Sequence, residues 1–340
     1  MLTLSVSLFI PTTQASSSTT YTYALDDNQE YVRTQDAYLP GQTITFLGLS
    51  APSDIIVNDE NQLIIADSGN SRVVIYNPKT KASVDLTHDD MVDPRGVFAV
   101  MDTSTYVTKG DIYVADPTAG KVFHFDKNGT LLEAFGKPTS MMYEDLLFQP
   151  EKIAVDKAGI MYVISKGSSD GIVQLSNTGE FLGFFSANKV QLSLREQFQQ
   201  FIYTDEQLKN LGLNFTPPVF TSVFIDDGGI VYSSSSSRRP SENLKKHNSQ
   251  GTNMLSEIFL SSTQMLDVFV DPQGIIYTAG QNGWIDVYTN DGEFIYTFGG
   301  SFDIAIAGIF KNLVAITVDL DGNIWTADSG NSYLQSFTPT

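Results

Sequence analysis

Short apolar runs, each about as long as one β-strand, recur along most of the chain and are separated by turns rich in Asp, Asn and Gly. The first clear unit has such runs at 55–57, 63–66 and 72–76. A unit with the same order closes the chain, and the string ADSGNS stands in both, at 66–71 and 327–332. Runs of this length that end at such turns predict strands joined by hairpins.

Four weaker copies of this unit lie between the first and the last. Their innermost apolar runs are Val97–Val100, Ile153–Asp156, Val223–Asp226 and Val268–Asp271. A second series of turns, such as Asp126–Gly129, leads into an outer run, such as Leu131–Phe135. Units of about forty residues with four strands each are typical of propeller blades. We therefore predict an all-β fold, a six-bladed β-propeller over residues 21–340.

The two ends of the chain predict how the ring closes. The sixth unit stops after its third strand, at Phe337, and Gln42–Leu47 resembles the missing fourth strand. Pairing the two would remove two exposed strand edges. Between blades 3 and 4, Asn188–Asn214 carries apolar residues at helical spacing, which predicts a short helical insertion.

The first unit resembles the NHL repeat, whose core reads Tyr-Val-Ala-Asp-Ser-x-Asn-x-Arg-Ile. Residues 63–75 match most of it, including Asp67, Asn70 and Arg72, whereas the last unit has Tyr333 where Arg is expected. The chain as a whole resembles exported NHL-repeat proteins of Gram-positive bacteria. The resemblance implies a six-bladed propeller and a structural role for Asp67, and it leaves function open because propellers host unrelated activities.

The N-terminus predicts export. An apolar run at Leu2–Ile10 precedes small residues at Thr13 and Ala15 and a polar Ser/Thr tract at Ser16–Thr20. This order is typical of a signal peptide and a linker over residues 1–20, although a basic start is missing and a disordered tail is the alternative. The predicted location is extracellular or at the cell surface. No other segment is long and apolar enough to span a bilayer.

Net charge and cysteine content limit the classes of partner and of chemistry that the chain can have. The formal net charge is -19, from 39 acidic and 20 basic residues, and there are no cysteines. Nucleic acid is excluded as a partner because its binding depends on Lys and Arg, whereas neutral, basic or cationic partners remain open. Disulfides and thiolate chemistry are excluded. Oligomeric state is left open.

Residues just before the inner strands of a propeller line one mouth of its channel. In this chain they are the candidate ligand-binding residues Asp54, Arg95, Glu151, Lys152, Ser222 and Asp267. The ring mixes both charges, which suits a polar ligand or a small peptide; the alternative is a salt-bridged or solvated rim. Three insertions fall on the same face: Pro138–Gln149, Asn188–Asn214 and Ser233–Asn243. They predict either a partial lid over the central channel or segments that only cover hydrophobic surface.

No catalytic constellation is found. A calcium site of gluconolactonase type would need Glu, two Asn and Asp in the channel; Asp54, Glu151 and Asp267 could supply carboxylates, but the Asn residues are missing. The three histidines lie in different repeats, and no HExxH or P-loop pattern occurs. We predict a non-enzymatic binding or scaffold propeller without a cofactor or metal, which recognises a protein, a peptide or a cell-wall glycan. The alternative is a calcium-dependent lactonase or esterase.

Overall fold

The computed structural model describes residues 20–166, 170–186, 202–204, 207, 218–237, 242–255, 264–303 and 305–340. The predicted signal peptide lies outside these ranges except for Thr20, and so does most of the predicted helical insertion. No helix among the described residues has the length and apolar character needed to cross a membrane.

The strands form six antiparallel sheets arranged as the blades of a propeller. The chain begins with β1 (Tyr23–Leu25), β2 (Tyr31–Arg33) and β3 (Tyr38–Ile44). Blade 1 contains β4 (Pro52–Val57), β5 (Leu63–Asp67), β6 (Arg72–Tyr76) and β7 (Ser83–Leu86). Blade 2 contains β8 (Gly96–Ala99), β9 (Ile112–Asp116), β10 (Lys121–Phe125) and β11 (Leu131–Phe135). Blade 3 contains β12 (Pro150–Val155), β13 (Met161–Ser165), β14 (Ile172–Leu175) and β15 (Phe181–Phe185).

The remaining blades follow the same order from the channel outwards. Blade 4 contains β16 (Val219–Ile225), β17 (Val231–Ser236) and β18 (Leu244–His247). Blade 5 contains β19 (Met265–Val270), β20 (Ile276–Gly280), β21 (Trp284–Tyr288) and β22 (Phe294–Gly299). Blade 6 contains β23 (Leu313–Val318), β24 (Ile324–Asp328) and β25 (Tyr333–Pro339). The predicted fold class, an all-β six-bladed propeller, is confirmed, and the predicted inner runs end within one residue of the observed strands.

The N-terminal strand β3 pairs with β25 as the outer strand of blade 6, with Leu334 opposite Ile44 and Pro339 opposite Tyr38. The strand lies at residues 38–44 instead of the predicted 42–47. The strand begins earlier because Tyr38 pairs with Pro339, and it ends before Leu47, whose carbonyl oxygen accepts a hydrogen bond from Arg72 Nη2 at 2.9 Å. The following Gly48 has φ +63°, a conformation that favours glycine and turns the chain into blade 1.

Blade 5 is extended by an N-terminal hairpin that the sequence pattern did not predict. Strand β1 pairs with β22 through Tyr23 and Thr297, and β2 pairs with β1, so that this sheet has six strands. The ring of Tyr23 packs edge-on against Trp284 at 5.8 Å, and that of Tyr31 against Phe294 at 6.4 Å. Such aromatic pairs contribute about 0.5–1.5 kcal/mol each beyond the area they bury.

Five of the six inner strands share a β-bulge that fixes which side chains face the channel. In each of these strands the pairing with the second strand skips one residue. The residue that follows the skipped one is Asp54, Lys152, Ser222, Asp267 or Ala315. A bulge re-aims the side chain that follows it. These five residues therefore occupy the same position in their blades, near the end of the channel where each inner strand begins.

Asp67, Asp116 and Asp328, which end the second strands of blades 1, 2 and 6, are fully buried. The carboxylate of Asp67 accepts hydrogen bonds from Ser50 N at 2.7 Å and from Arg72 Nε at 2.7 Å. In blade 6, where Tyr333 replaces the arginine, its hydroxyl instead accepts a bond from Asn331 Nδ2 at 3.0 Å. The structural role expected for Asp67 is therefore confirmed: the carboxylate holds the loop that leads into the inner strand.

Candidate ligand-binding channel

The channel has two ends that differ in their side chains. We call the end at which the inner strands begin the loop end, because the connections between blades run into it. We call the opposite end, at which each inner strand turns back into the second strand, the hairpin end.

A buried charge cluster closes the channel near the loop end. Lys152 Nζ on β12 lies 2.5 Å from Asp54 Oδ1 on β4 and 3.4 Å from Asp267 Oδ1 on β19. All three residues are at most 9% exposed. An ion pair in such a place costs desolvation and requires that its remaining oxygens be satisfied by further hydrogen bonds.

Those further bonds connect the cluster to the other blades. The second carboxylate oxygen of Asp54 accepts a bond from Val97 N at 2.9 Å, and that of Asp267 accepts one from Ile316 N at 2.9 Å. Ser222 Oγ donates to Asp267 Oδ1 at 2.5 Å. Because these groups lie on β8, β23 and β16, the cluster joins the inner strands of all six blades across the channel.

The charges of the cluster respond to burial and to each other. The pKa of Asp54 is raised to about 6; burial is the largest cause, Lys152 acts to lower the pKa, and the nearby carboxylate of Asp267 acts to raise it. Burial acts to lower the pKa of Lys152, but the carboxylates of Asp267 and Asp54 outweigh this effect and raise it above its ordinary value. Near neutral pH the lysine is therefore charged and offsets the buried carboxylates.

The structure brings together four of the six predicted ligand-binding residues: Asp54, Lys152, Ser222 and Asp267. The other two, Arg95 and Glu151, immediately precede channel positions and lie outside the cluster. Arg95 is exposed, with Nε 2.8 Å from Asp93 Oδ1, and Glu151 Oε1 lies 3.7 Å from Lys166 Nζ. Side chains alternate along a strand, which explains the separation. Ligand binding by these six residues stays a prediction.

The donor set does not fit the calcium site of the lactonase alternative. Asp54 and Asp267 have Lys152 Nζ between them, and Glu151 is directed towards Lys166. Within the described ranges, no group of three or more His, Asp or Glu side chains is arranged to hold a metal. Calcium requires six to eight oxygen ligands, which these residues do not provide.

A cavity of about 750 Å³ opens at the hairpin end of the channel. Its deeper wall includes the apolar side chains of Ile56, Phe98, Phe224 and Phe269, one from each of four inner strands. The rings of Phe224 and Phe269 are 4.8 Å apart. A narrow space of about 20 Å³ lies between this wall and the charge cluster. The cavity is therefore a funnel, closed at its base by the cluster.

The mouth of the funnel is acidic. Its lining includes Asp102, Asp156, Asp226, Asp227, Asp271, Asp319 and Asp321, which we call the aspartate rim. Among the lining side chains that the structure describes, Lys157 is the basic one. Walls of low dielectric constant concentrate the field of such charges in a cleft. The mouth should therefore attract cations and repel anions.

Several rim aspartates also form the turns of the inner hairpins. Asp271 Oδ1 accepts bonds from Gln273 N at 2.9 Å and Ile275 N at 2.8 Å, and Oδ2 accepts one from Tyr277 Oη at 3.3 Å. Asp226 and Asp319 make equivalent bonds to their own turns. From the sequence alone, these aspartates indicate turns. The missed signal is an aromatic donor six residues after the aspartate, as in Asp271 and Tyr277.

A serine–histidine pair lies away from the channel. His247 Nε2 is 2.8 Å from Ser233 Oγ, and both residues are 1% exposed. Burial lowers the pKa of His247 to about 4, so the ring is neutral near pH 7. Neither residue lines the funnel. A nucleophile must reach its substrate, and this pair is buried between blades 3 and 4, where His247 packs against Phe185.

The comparisons with known proteins agree with this architecture. Residues 49–76 match the family model of the NHL repeat. The chain is a six-bladed β-propeller with an NHL repeat. No curated protein matches the propeller.

Among solved structures, the propeller is similar to a streptogramin B lyase at 11% identity and a TM-score of 0.55, covering 90% of this chain and 100% of that one. A chain of a mitotic checkpoint complex is 10% identical with a TM-score of 0.56, covering 99% and 98%. A chain of the Kuenenia stuttgartiensis hydrazine synthase is 11% identical with a TM-score of 0.55, covering 88% and 98%. At these identities the likeness concerns the fold alone.

Proposed function

We propose that this propeller is a non-enzymatic binding protein that recognises a peptide segment of a protein partner at the hairpin end of its channel. The funnel carries the proposal. Its volume of about 750 Å³ lies within the usual range for ligand pockets, and its apolar wall below a polar mouth is the usual character of such a site. A propeller is a rigid support on which such a pocket can be held open.

The polar groups at the loop end are already bonded within the protein, which makes the hairpin end the better binding site. The polar groups of Asp54, Lys152 and Asp267 bond to one another and to backbone N–H groups, so that a ligand would have to break these bonds. Arg95 and Glu151 are the two candidates at the loop end whose side chains remain in reach of a partner. A protein that covers this face could contact them without entering the channel.

An enzymatic role receives less support. The likeness to a streptogramin B lyase is one of fold, and folds of this kind host many functions. The hydrolase alternative requires carboxylates with free oxygens in the channel, whereas those of Asp54 and Asp267 are engaged by Lys152 and by Val97 N and Ile316 N.

Export remains part of the proposal, because the apolar run and polar tract at the N-terminus are typical of a signal peptide. An exported propeller would meet its peptide, or a cell-wall glycan, at or beyond the cell surface. N-terminal sequencing of the protein recovered from the culture medium should give a start close to Ser16. Recovery of the uncleaved chain from the cell interior would contradict export.

Binding is tested by a fluorophore placed at either end of the channel. The chain has no cysteine, so Leu320→Cys, on the exposed lining of the funnel, and Met141→Cys, on an exposed loop at the loop end, each give one labelling site. Each variant is labelled with acrylodan. It is then titrated with a pool of capped tetrapeptides Ac-Ala-X-X-Ala-NH2 and, separately, with chitotetraose.

We expect a saturable change with the peptide pool at position 320 and none at position 141. A change at position 141 alone would place binding at the loop end and contradict the proposal. A response to chitotetraose but not to peptides would replace the peptide by a glycan. No response from either probe at position 320 would also contradict the proposed site.

A further inference from the structure

The funnel combines two features that together specify a ligand. Resting on the proposed function, we infer that the recognised peptide carries an apolar side chain next to a basic one. The apolar side chain occupies the funnel, and the cation of its neighbour lies at the aspartate rim.

The apolar part of the inference rests on the deeper wall. Phe98 and Phe269 are 8% and 7% exposed, and what remains exposed of them faces the cavity that they line. With Ile56 and Phe224 they surround the funnel from four blades. Burying an aliphatic or aromatic side chain against such a wall removes apolar surface from water, which is the main favourable term in most associations.

The basic part rests on the balance of charge at the mouth. Lys157 is 3.5 Å from Asp102, and Lys79, outside the lining, is 3.0 Å from Asp321, so the nearby lysines already face carboxylates. Asp227 stands exposed in the turn between β16 and β17. The remaining rim aspartates strengthen the negative electrostatic field around Asp227, and the net charge of -19 extends this field further from the surface. A ligand cation therefore gains at the mouth, whereas a carboxylate is repelled.

The turns explain why acidic side chains recur at this mouth. Asp226, Asp271 and Asp319 each accept backbone N–H bonds that close a hairpin. The fold therefore requires an acceptor at the same place in successive blades. Arranging these hairpins around one mouth gathers their carboxylates, and the repeat itself builds a site for a cation.

A set of four capped peptides separates the two parts of the inference. Ac-Ala-Leu-Lys-Ala-NH2 carries both features; norleucine or glutamate in place of lysine removes or reverses the charge, and serine in place of leucine removes the apolar side chain. Binding to the full chain is measured by isothermal titration calorimetry at about 0.1 M salt, where the Debye length is roughly 10 Å. We expect the Leu-Lys peptide to bind tightest, and the norleucine peptide about ten-fold more weakly, as expected for a few partly exposed charge interactions.

Matched charge reversals then locate the cation. Asp227→Lys changes the rim, and Asp89→Lys changes an exposed aspartate in the loop that leads into blade 2, at the loop end, with the same effect on net charge. We expect Asp227→Lys to lower the affinity for the Leu-Lys peptide about ten-fold and to leave the norleucine peptide nearly unaffected. Asp89→Lys should change neither affinity by more than about two-fold, because salt screens charges beyond roughly 10 Å.

The outcomes distinguish this inference from the function on which it rests. If none of the four peptides binds, the proposed function fails. If the lysine, norleucine and glutamate peptides bind equally, the funnel binds peptides but the inferred cation is wrong. Equal weakening by Asp227→Lys and Asp89→Lys would also overturn the inference. Binding of n-butylammonium as tight as that of the Leu-Lys peptide would assign the site to a small amine instead.

Discussion

The two ends of the channel are built from the same six inner strands, yet aspartate has a different role at each. At the loop end, Asp54 and Asp267 lie buried around Lys152, and their oxygens are used within the protein. At the hairpin end, Asp226 and Asp271 close turns and still line an open cavity. The difference shows that position along the strand, together with a cation that reaches across the channel from another blade, decides whether a carboxylate closes the channel or presents charge to a ligand.

Removing the lysine should have the largest effect on this contrast. Lys152→Met leaves two carboxylates buried without their cation, which should lower the free energy of unfolding by about 3–5 kcal/mol at pH 7.5. Denaturant unfolding measures the free energy of unfolding of this variant and of a control, Lys157→Met, which replaces an exposed lysine at the hairpin end. The control should change by less than about 0.5 kcal/mol. Equal stability of the Lys152→Met variant and the original chain would show that the cluster does not close the loop end as described.

The pH dependence of stability gives a second, smaller effect at the loop end. Because the pKa of Asp54 is raised from 3.8 to about 6 in the fold, its contribution is fully present below about pH 4 and is lost as the pH rises through 6. Relative to Asp54→Asn, the original chain should therefore lose up to about 3 kcal/mol of stability between pH 4 and pH 6.5.

Comparing the original chain with Asp54→Asn separates the effect of Asp54 titration on stability from that of His247. Burial lowers the pKa of His247 to about 4, so its contribution runs the opposite way: it is present above about pH 6.5 and lost as the pH falls towards 4. This slope occurs in both proteins and cancels in the difference. Urea unfolding at several pH values measures it. A difference that does not change with pH would contradict the raised pKa of Asp54.

The smallest expected effect is at the hairpin end, where two substitutions of Asp271 separate its role in the turn from its role as a charge. Asp271→Ala removes an acceptor of two backbone N–H bonds and should cost about 1–2 kcal/mol. Asp271→Asn keeps an acceptor oxygen in the turn and should cost clearly less, while it lowers the affinity for a cationic peptide. Thermal unfolding and calorimetry with the Leu-Lys peptide follow the two effects. Equal destabilisation by both substitutions would mean that the carboxylate is needed for the fold as a charge.

The periodic strands were predictable from the sequence because each residue pattern is local. The runs around Ile55, Ile153 and Val268 are short, apolar and bounded by turns, and each became an inner strand. The hairpin that extends blade 5 was missed because Tyr23 pairs with Thr297, a partner far along the chain that no local pattern reveals. The strand that completes blade 6 was placed too late for a related reason, since its pairing with β25, as between Tyr38 and Pro339, is also a tertiary contact.

The candidate site was predictable only in part. Repeat alignment placed Asp54, Lys152, Ser222 and Asp267 at one level of the channel, and they do meet there. Alignment does not reveal that Lys152 would satisfy the carboxylates instead of leaving them to a ligand. The open funnel was missed because its aspartates read as ordinary turn residues. Their second role arises only when the blades close into a ring.

The central claim is that the hairpin end is an open mouth selective for cations, and it is tested most directly by charged thiol reagents. The single cysteines of Leu320→Cys and Met141→Cys react with trimethylammonium-ethyl or sulfonato-ethyl methanethiosulfonate, and the four rates are compared at low salt. The account predicts that the cationic reagent is favoured several-fold more strongly at position 320 than at position 141, as a focused negative field requires. The same rate ratio at both positions, or a preference for the anionic reagent at position 320, would contradict it.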